Sequence, residues 1–192
     1  MALTFLTTVS LTIINYLLGA LMFSFWLGKL KRLDIRNYGD GNPGAINAFK
    51  AAGWRIGVVA LLLDYLKGFL PVLFFFKTIG ITDIRLIPIA IAPVLGHAFS
   101  PFLGFLGGKA IAVTFGIWSG LTLWEGPTLL GAIFILLKFI VKIKNEAWGV
   151  LIGMAGLLIY IILRHPTFEL ISIFILNFLI LVIKHWHELR KS

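Results

Sequence analysis

The chain has 192 residues, 59% hydrophobic and 13% charged, with a mean hydropathy of +0.99. That composition excludes an ordinary soluble domain and a disordered chain, and marks an all-α polytopic membrane protein. There is no cysteine, which excludes disulfides, cysteine nucleophiles and thiolate metal sites; the net charge of +9 reads as Lys and Arg beside membrane spans, with no nucleic-acid partner.

Apolar runs between polar punctuation predict about seven transmembrane helices, near 5–27, 54–76, 85–99, 110–124, 126–143, 147–164 and 167–185. No long polar linker divides them, so residues 1–192 form a single domain. The first run is too long for a signal-peptide core and lacks a basic leader, so it reads as a retained anchor. Between the first two spans lies a polar, glycine-rich stretch from Arg36 to Lys50. Within it Asn42 is a natural N-cap, Pro43 a favoured first helical residue and Gly53 a stop. The expectation is a short helix over 43–52 with Pro43, Asn47 and Lys50 on one face. The third span is short and carries Pro88 and Pro93 as interruptions. Glu125-Gly126-Pro127 reads as a tight turn between two spans.

Seven spans put the termini on opposite sides of the membrane. With the N-terminus outside, only Lys77, Arg85 and Arg164 lie on the outer side and Lys67 lies within a span. The other thirteen of the 17 Lys and Arg are cytoplasmic. The positive-inside rule selects this orientation. It places the first glycine-rich stretch, a second one from Gly96 to Lys109, and the basic C-terminus on one side.

Those three segments hold the candidate chemistry. Glycine-rich backbone at a helix start suits an anion held by N–H groups, and Asn42, Asn47 and Lys50 converge on the first such start. Gly107-Gly108-Lys109 precedes a helix and offers backbone amides plus one cation to a phosphate. Leu103 and Ala110 break the Walker A pattern, so no nucleotide or metal is implied. Asp64 and Lys67 stand three residues apart at membrane depth. They read either as a self-neutralising pair or as a lysine reaching the site. His97 abuts the second glycine-rich stretch, and His185 ends the last span on the cytoplasmic side, where it could act as a base or donate to a phosphate.

In this order the residues resemble the bacterial membrane acyl-phosphate:glycerol-3-phosphate acyltransferases (PlsY type). The similarity is carried by Asp34-x-Arg36-Asn37, Gly39-x-Gly41-Asn42-x-Gly44-Ala45-x-Asn47, Asp64-x-x-Lys67-Gly68-x-x-Pro71, Gly96-His97, Gly107-Gly108-Lys109 and His185. The resemblance implies an inner-membrane enzyme with a cytoplasm-facing site. It would transfer a fatty acyl group from acyl phosphate to the 1-hydroxyl of glycerol 3-phosphate, with no cofactor, metal or acyl-enzyme. On this resemblance Asn42, Lys109 and His185 are the expected catalytic residues. Arg36, Gly41, Gly44, Asn47, Lys50, Lys67, His97, Gly107 and Gly108 are the expected substrate-binding ones. The expected partners are the two substrates and membrane lipids.

The chain departs from the family pattern at Asp40 (for Ser), Ile46 (for Thr), Lys50 (for Arg), Ala110 (for Gly) and Glu188 (for Asn). A carboxylate at Asp40 is unfavourable beside a phosphate unless Lys50 or Arg36 pairs with it. These departures keep open a non-catalytic relative that binds acyl phosphate or regulates lipid synthesis. The intramembrane Asp64 and Lys67 keep open a small anion transporter.

Overall fold

A computed structural model describes residues 4–191. Eight helices account for most of them: α1 (Phe5–Ala20), α2 (Phe23–Leu30), α3 (Ala45–Leu73), α4 (Leu86–Ala98), α5 (Ile111–Thr122), α6 (Glu125–Ile135), α7 (Glu146–Arg164) and α8 (Phe168–Leu189). The described residues contain no strand. Four helical stretches among them are long and apolar enough to cross a membrane, and the bent pair α1–α2 makes up to five.

The expected first span is broken. Leu21 turns to an extended conformation and α1 and α2 meet at 41°. A break strips carbonyls of their helical partners, and such groups within a membrane need others. Here Ser100 Oγ donates to the Ala20 carbonyl at 2.7 Å and Lys67 Nζ to the Leu21 carbonyl at 2.6 Å.

The helix expected over 43–52 starts later, at Ala45, with Gly44 as its cap and no capping side chain. Asn42 and Pro43 lie in the loop before it, because Asn42 is drawn into that loop's own hydrogen bonds. Gly53 does interrupt the helix, at φ 82° and ψ 174°, before α3 resumes. Pro88 and Pro93 do not stop α4. Pro88 sits in its first turn, where no N–H is missed. Pro93 leaves the Ile89 carbonyl without its helical donor, and Asn15 Nδ2 supplies one at 3.2 Å. Nor is Glu125-Gly126-Pro127 a turn. Leu123 makes the reversal at φ 56°, and Glu125 begins α6.

α4 is the central helix. Of its most apolar stretch 61% is buried by the rest of the fold, against 28% for α3. α1 packs along it closely enough that a Cβ on Gly96 would stand 2.1 Å from the Tyr16 carbonyl oxygen. α5 lies along α3, and Trp118 fills the centre, donating to Asn177 Oδ1 on α8 at 3.0 Å. Asn177 Nδ2 in turn donates to Thr114 Oγ1 at 2.9 Å, so a buried polar chain ties α5 to α8. α5 lies along the later part of α3, and the reversal at Gly53 lays Phe49 against Gly57, which brings the start of α3 back beside that of α5.

Candidate active site

The N-termini of α3 and α5 open onto one cavity of about 490 Å³. A helix leaves its first amides without internal partners and carries partial positive charge at that end. Gly44, Ala45 and Ile46 come to the cavity from α3, and Ala110, Ile111 and Ala112 from α5. Its apolar wall includes Leu61, Leu62, Tyr65 and Phe115.

Asp40, Asn42 and Lys109 form the outer end. Asp40 Oδ1 accepts from the Asn42 N–H at 3.1 Å and from Asn47 Nδ2 at 2.8 Å, and Asn47 Nδ2 also donates to the Asn42 carbonyl at 2.8 Å. Asp40 Oδ2 meets Lys109 Nζ at 2.6 Å, and Lys109 forms a second ion pair with Glu188 in the last turn of α8. Burial works to raise the pKa of Asp40. The hydrogen bonds from Lys109, Asn42 and Asn47 outweigh it, so the carboxyl stays below its ordinary value. Burial works to lower the pKa of Lys109, but Asp40 and Glu188 leave it raised. Both groups are charged at neutral pH.

The inner end is polar but sealed. Asp64 of α3 is buried and accepts from Ser24 Oγ and from Lys67 Nζ, each at 2.8 Å. His97 of α4, also buried, brings Nδ1 to 3.8 Å from Asp64 Oδ1. That Nδ1 and Asn47 Oδ1 have no hydrogen-bond partner, although both residues line the cavity. Buried polar atoms without partners are costly unless something fills the site.

The second glycine-rich stretch is a packing device. The Gly108 N–H donates to the His97 carbonyl at 3.0 Å, and Lys184 Nζ donates to the Gly107 carbonyl at 3.0 Å. A Cβ on Gly107 would stand 2.0 Å from the His97 oxygen, and one on Gly108 2.2 Å from His97 Nε2. Only glycines let this stretch lie on the end of α4, and that contact fixes where Lys109 emerges. Among the described residues no group of three His, Asp, Glu or Cys side chains is placed to hold a metal ion.

Residues 9–192 match the family model for Glycerol-3-phosphate acyltransferase. The chain belongs to this family. It is 43% identical over 190 residues to Glycerol-3-phosphate acyltransferase 1 of Thermotoga maritima, a match covering 93% of this chain and 94% of the relative. It is 30% identical to the Geobacter sulfurreducens glycerol-3-phosphate acyltransferase, covering 94% and 91%. Its fold is similar to a crystal structure of PlsY (YgiH), an integral membrane glycerol 3-phosphate acyltransferase, in the glycerol 3-phosphate form. The TM-score is 0.87 at 28% identity, covering 96% of this chain and 91% of that one. The lysophosphatidic acid form gives 0.86 at 26% identity, with the same coverage.

Of the residues the sequence put forward in this acyltransferase, Asn42, Gly44, Asn47, His97 and Lys109 line the cavity, and Gly107 and Gly108 lie directly before Lys109. Gly41, at φ 76°, shapes the loop behind Asn42. Lys50 Nζ stands 3.0 Å from where a Cβ on Gly39 would be, beside that loop. Arg36 is taken by Asp34 at 2.7 Å and packs over the Phe25 ring, which is why it does not answer Asp40. Its guanidinium holds the Asp34 carboxyl well below the usual carboxylate range. Lys67 is outside the cavity lining, held by Asp64 and the Leu21 carbonyl. His185 is buried in α8, with Nδ1 donating to the Leu181 carbonyl at 2.8 Å, and does not line the cavity either. Sequence reasoning left Asp40 and Asp64 out of the site, yet both line it. Their signals were present: a carboxylate inside a glycine loop, and an acid within an apolar span.

Proposed function

We propose that this chain transfers a fatty acyl group from acyl phosphate to the 1-hydroxyl of glycerol 3-phosphate, giving lysophosphatidate and inorganic phosphate. One observation carries the reading: two helix N-termini and Lys109 meet at the outer end of an apolar cavity lined by membrane-spanning helices. Such a cavity suits an acyl chain, and its outer end suits phosphoryl groups. Lys109, the amides of α3 and α5, and Asn42 hold the two anions against their mutual repulsion. The hydroxyl oxygen attacks the acyl carbonyl carbon, the bond from that carbon to the phosphate oxygen breaks, and the hydroxyl proton leaves with the phosphate. The donor is already activated, so the protein's part is positioning and exclusion of water. Asn47 acts through its hold on Asp40 and on the Asn42 carbonyl, and His97 through the carbonyl on which Gly108 rests. His185, Lys50, Arg36, Gly41, Gly107 and Gly108 act through the shape of the loops and helix around them. Lys67 acts through its hold on Asp64.

In the same reading α1–α2 forms one span and α3 to α8 the other six, in an inner membrane. The N-terminus is outside, and the glycine-rich loops and C-terminus are cytoplasmic. A second reading is a non-catalytic binding protein, favoured by the double ion pairing of Lys109 with Asp40 and Glu188. Incubation with glycerol 3-phosphate and either palmitoyl phosphate or palmitoyl-CoA, with mass spectrometry of the products, separates these. 1-Acyl lysophosphatidate from palmitoyl phosphate alone is the expected result. No product from either donor overturns the catalytic reading, and product from the thioester overturns the donor.

A further inference from the structure

Lys184, in the last two turns of α8, is half-buried and does not line the cavity. Its ammonium bridges two carbonyls from different segments, Ala98 at the end of α4 and Gly107 before Lys109, each at 3.0 Å. It also stands 5.4 Å from the centre of the Phe99 ring. Among the described residues no carboxylate pairs with it. Withdrawing an ammonium from water without a counter-charge is costly. Here the partial negative charge at the C-terminus of α4 and the two carbonyl oxygens offset that cost. An ammonium has three donors and can hold both oxygens at once.

Packing alone does not call for this bridge. α8 is docked by its apolar residues, Ile180 and Leu181 among them, and by the bond between Asn177 and Trp118. The end of α4 is anchored from the other side, where the Tyr16 hydroxyl donates to the Phe99 carbonyl at 2.8 Å. What Lys184 adds is a second hold on the glycine-rich stretch. The bond from the Gly108 N–H to the His97 carbonyl is a single point, about which the stretch can pivot. A hold on Gly107 removes the pivot. Glu188, one turn beyond Lys184 on the same face of α8, then meets the Lys109 ammonium. We propose that Lys184 is a positioning residue: by tying the Gly107 carbonyl to the end of α4, it fixes the direction in which Lys109 enters the cavity. The proposal rests on the acyltransferase reading for the reaction, and on the geometry alone for the placement of Lys109.

The test uses Lys184→Met, which keeps an apolar stem and removes every donor, and Lys184→Arg, which can still bridge both carbonyls. The first readout is acetylation of Lys109 by acetic anhydride in detergent, measured by mass spectrometry against Lys29 in the same sample. Lys109 should be labelled about three- to fivefold faster in Lys184→Met, because it leaves its carboxylates more often. Lys29, paired with Asp34, should be unchanged, and Lys184→Arg should stay near wild type. The second readout is kcat/KM for glycerol 3-phosphate-dependent phosphate release from palmitoyl phosphate. Lys184→Met should lower it on the order of tenfold. In a Lys109→Ala background the same change should cost less than about twofold, because the effect passes through Lys109. Unchanged labelling of Lys109 overturns the proposal. So does an equal loss of kcat/KM in both backgrounds, which is what a merely structural role predicts. Lys184→Gln, whose amide reaches one carbonyl, gives the same readouts in smaller form if Lys184→Met fails to fold. Absence of turnover in the wild type would count against the catalytic reading alone, since the labelling still reads the position of Lys109.

Discussion

Replacing Gly107 with alanine tests whether the second glycine-rich stretch positions Lys109. The added Cβ would stand 2.0 Å from the His97 carbonyl oxygen and 2.8 Å from that of Ala98, where real contacts almost never fall below 3.0 Å. Both obstacles are backbone at the end of the buried helix α4, so the loop has to move, by about 1 Å at least. That shift weakens the Gly108 bond to His97 and the Lys184 bond to Gly107, and it carries Lys109 with it. Overpacking of this kind costs about 1–3 kcal/mol, which in a chain of this size lowers the melting temperature by roughly 2–12 °C. Displacing a binding group by about 1 Å costs on the order of 100-fold in rate. The assay is kcat/KM for glycerol 3-phosphate-dependent phosphate release, beside a melting curve in detergent. Gly149→Ala is the control: a Cβ there meets nothing within 4 Å on α7, so it should be neutral or slightly stabilising. A Gly107→Ala enzyme within about threefold of wild-type kcat/KM would refute the argument.

Three further outcomes follow from the geometry. Asp64→Asn leaves the Lys67 ammonium buried without its counter-charge and should cost about 3–5 kcal/mol. The double variant Asp64→Leu/Lys67→Met removes both charges but frees the Leu21 carbonyl and Ser24 Oγ, so it should recover part of that loss; a double variant as unstable as the single one would contradict the self-neutralising pair. Asn177→Ala strands Trp118 Nε1 and Thr114 Oγ1 and should lower stability by about 1–2 kcal/mol, read from the melting temperature; an unchanged value would show that the chain from α5 to α8 is not needed. Melting across pH 3 to 11 tests the loop ion pairs. Asp34 and Asp40 have folded pKa values below their unfolded ones, so their contribution is complete above about pH 4 and is lost as pH falls through the folded values. Lys109 has a raised value, so its contribution is complete below about pH 10 and is lost as pH rises through the folded one. Stability should therefore fall at both ends, and a flat profile would refute the pairing.

Much of this site can be read in the sequence, because the signals are local. Glycine runs beside a lone Lys109, and Asn42 and Asn47 near a helix start, announce anion binding wherever the fold puts them. Gly53 likewise marks the interruption in α3. The features that cannot be read depend on partners far along the chain. The break at Leu21 has no proline to announce it, and nearby Gly19 serves the close approach of α4 at Pro93; the break survives because Ser100 and Lys67 satisfy the freed carbonyls. The two prolines of α4 look disruptive until Asn15 supplies the missing donor at Ile89. Asp40 calls for a cation, and local reasoning offers Arg36 and Lys50. The fold assigns it Lys109, and places Glu188 on the same ammonium from the last helix. Periodicity also cannot separate Leu61 and Phe115, which line the cavity, from apolar residues that face lipid.

The central claim is that Lys109, set between the starts of two helices, binds the phosphoryl group of a working acyl phosphate-dependent acyltransferase. The most direct measurement is phosphate release from palmitoyl phosphate by purified wild type and Lys109→Ala, with and without glycerol 3-phosphate. Wild-type release that requires glycerol 3-phosphate, and falls by about 100-fold or more in a variant that melts normally, is the predicted result. Release by Lys109→Ala at the wild-type rate would contradict it.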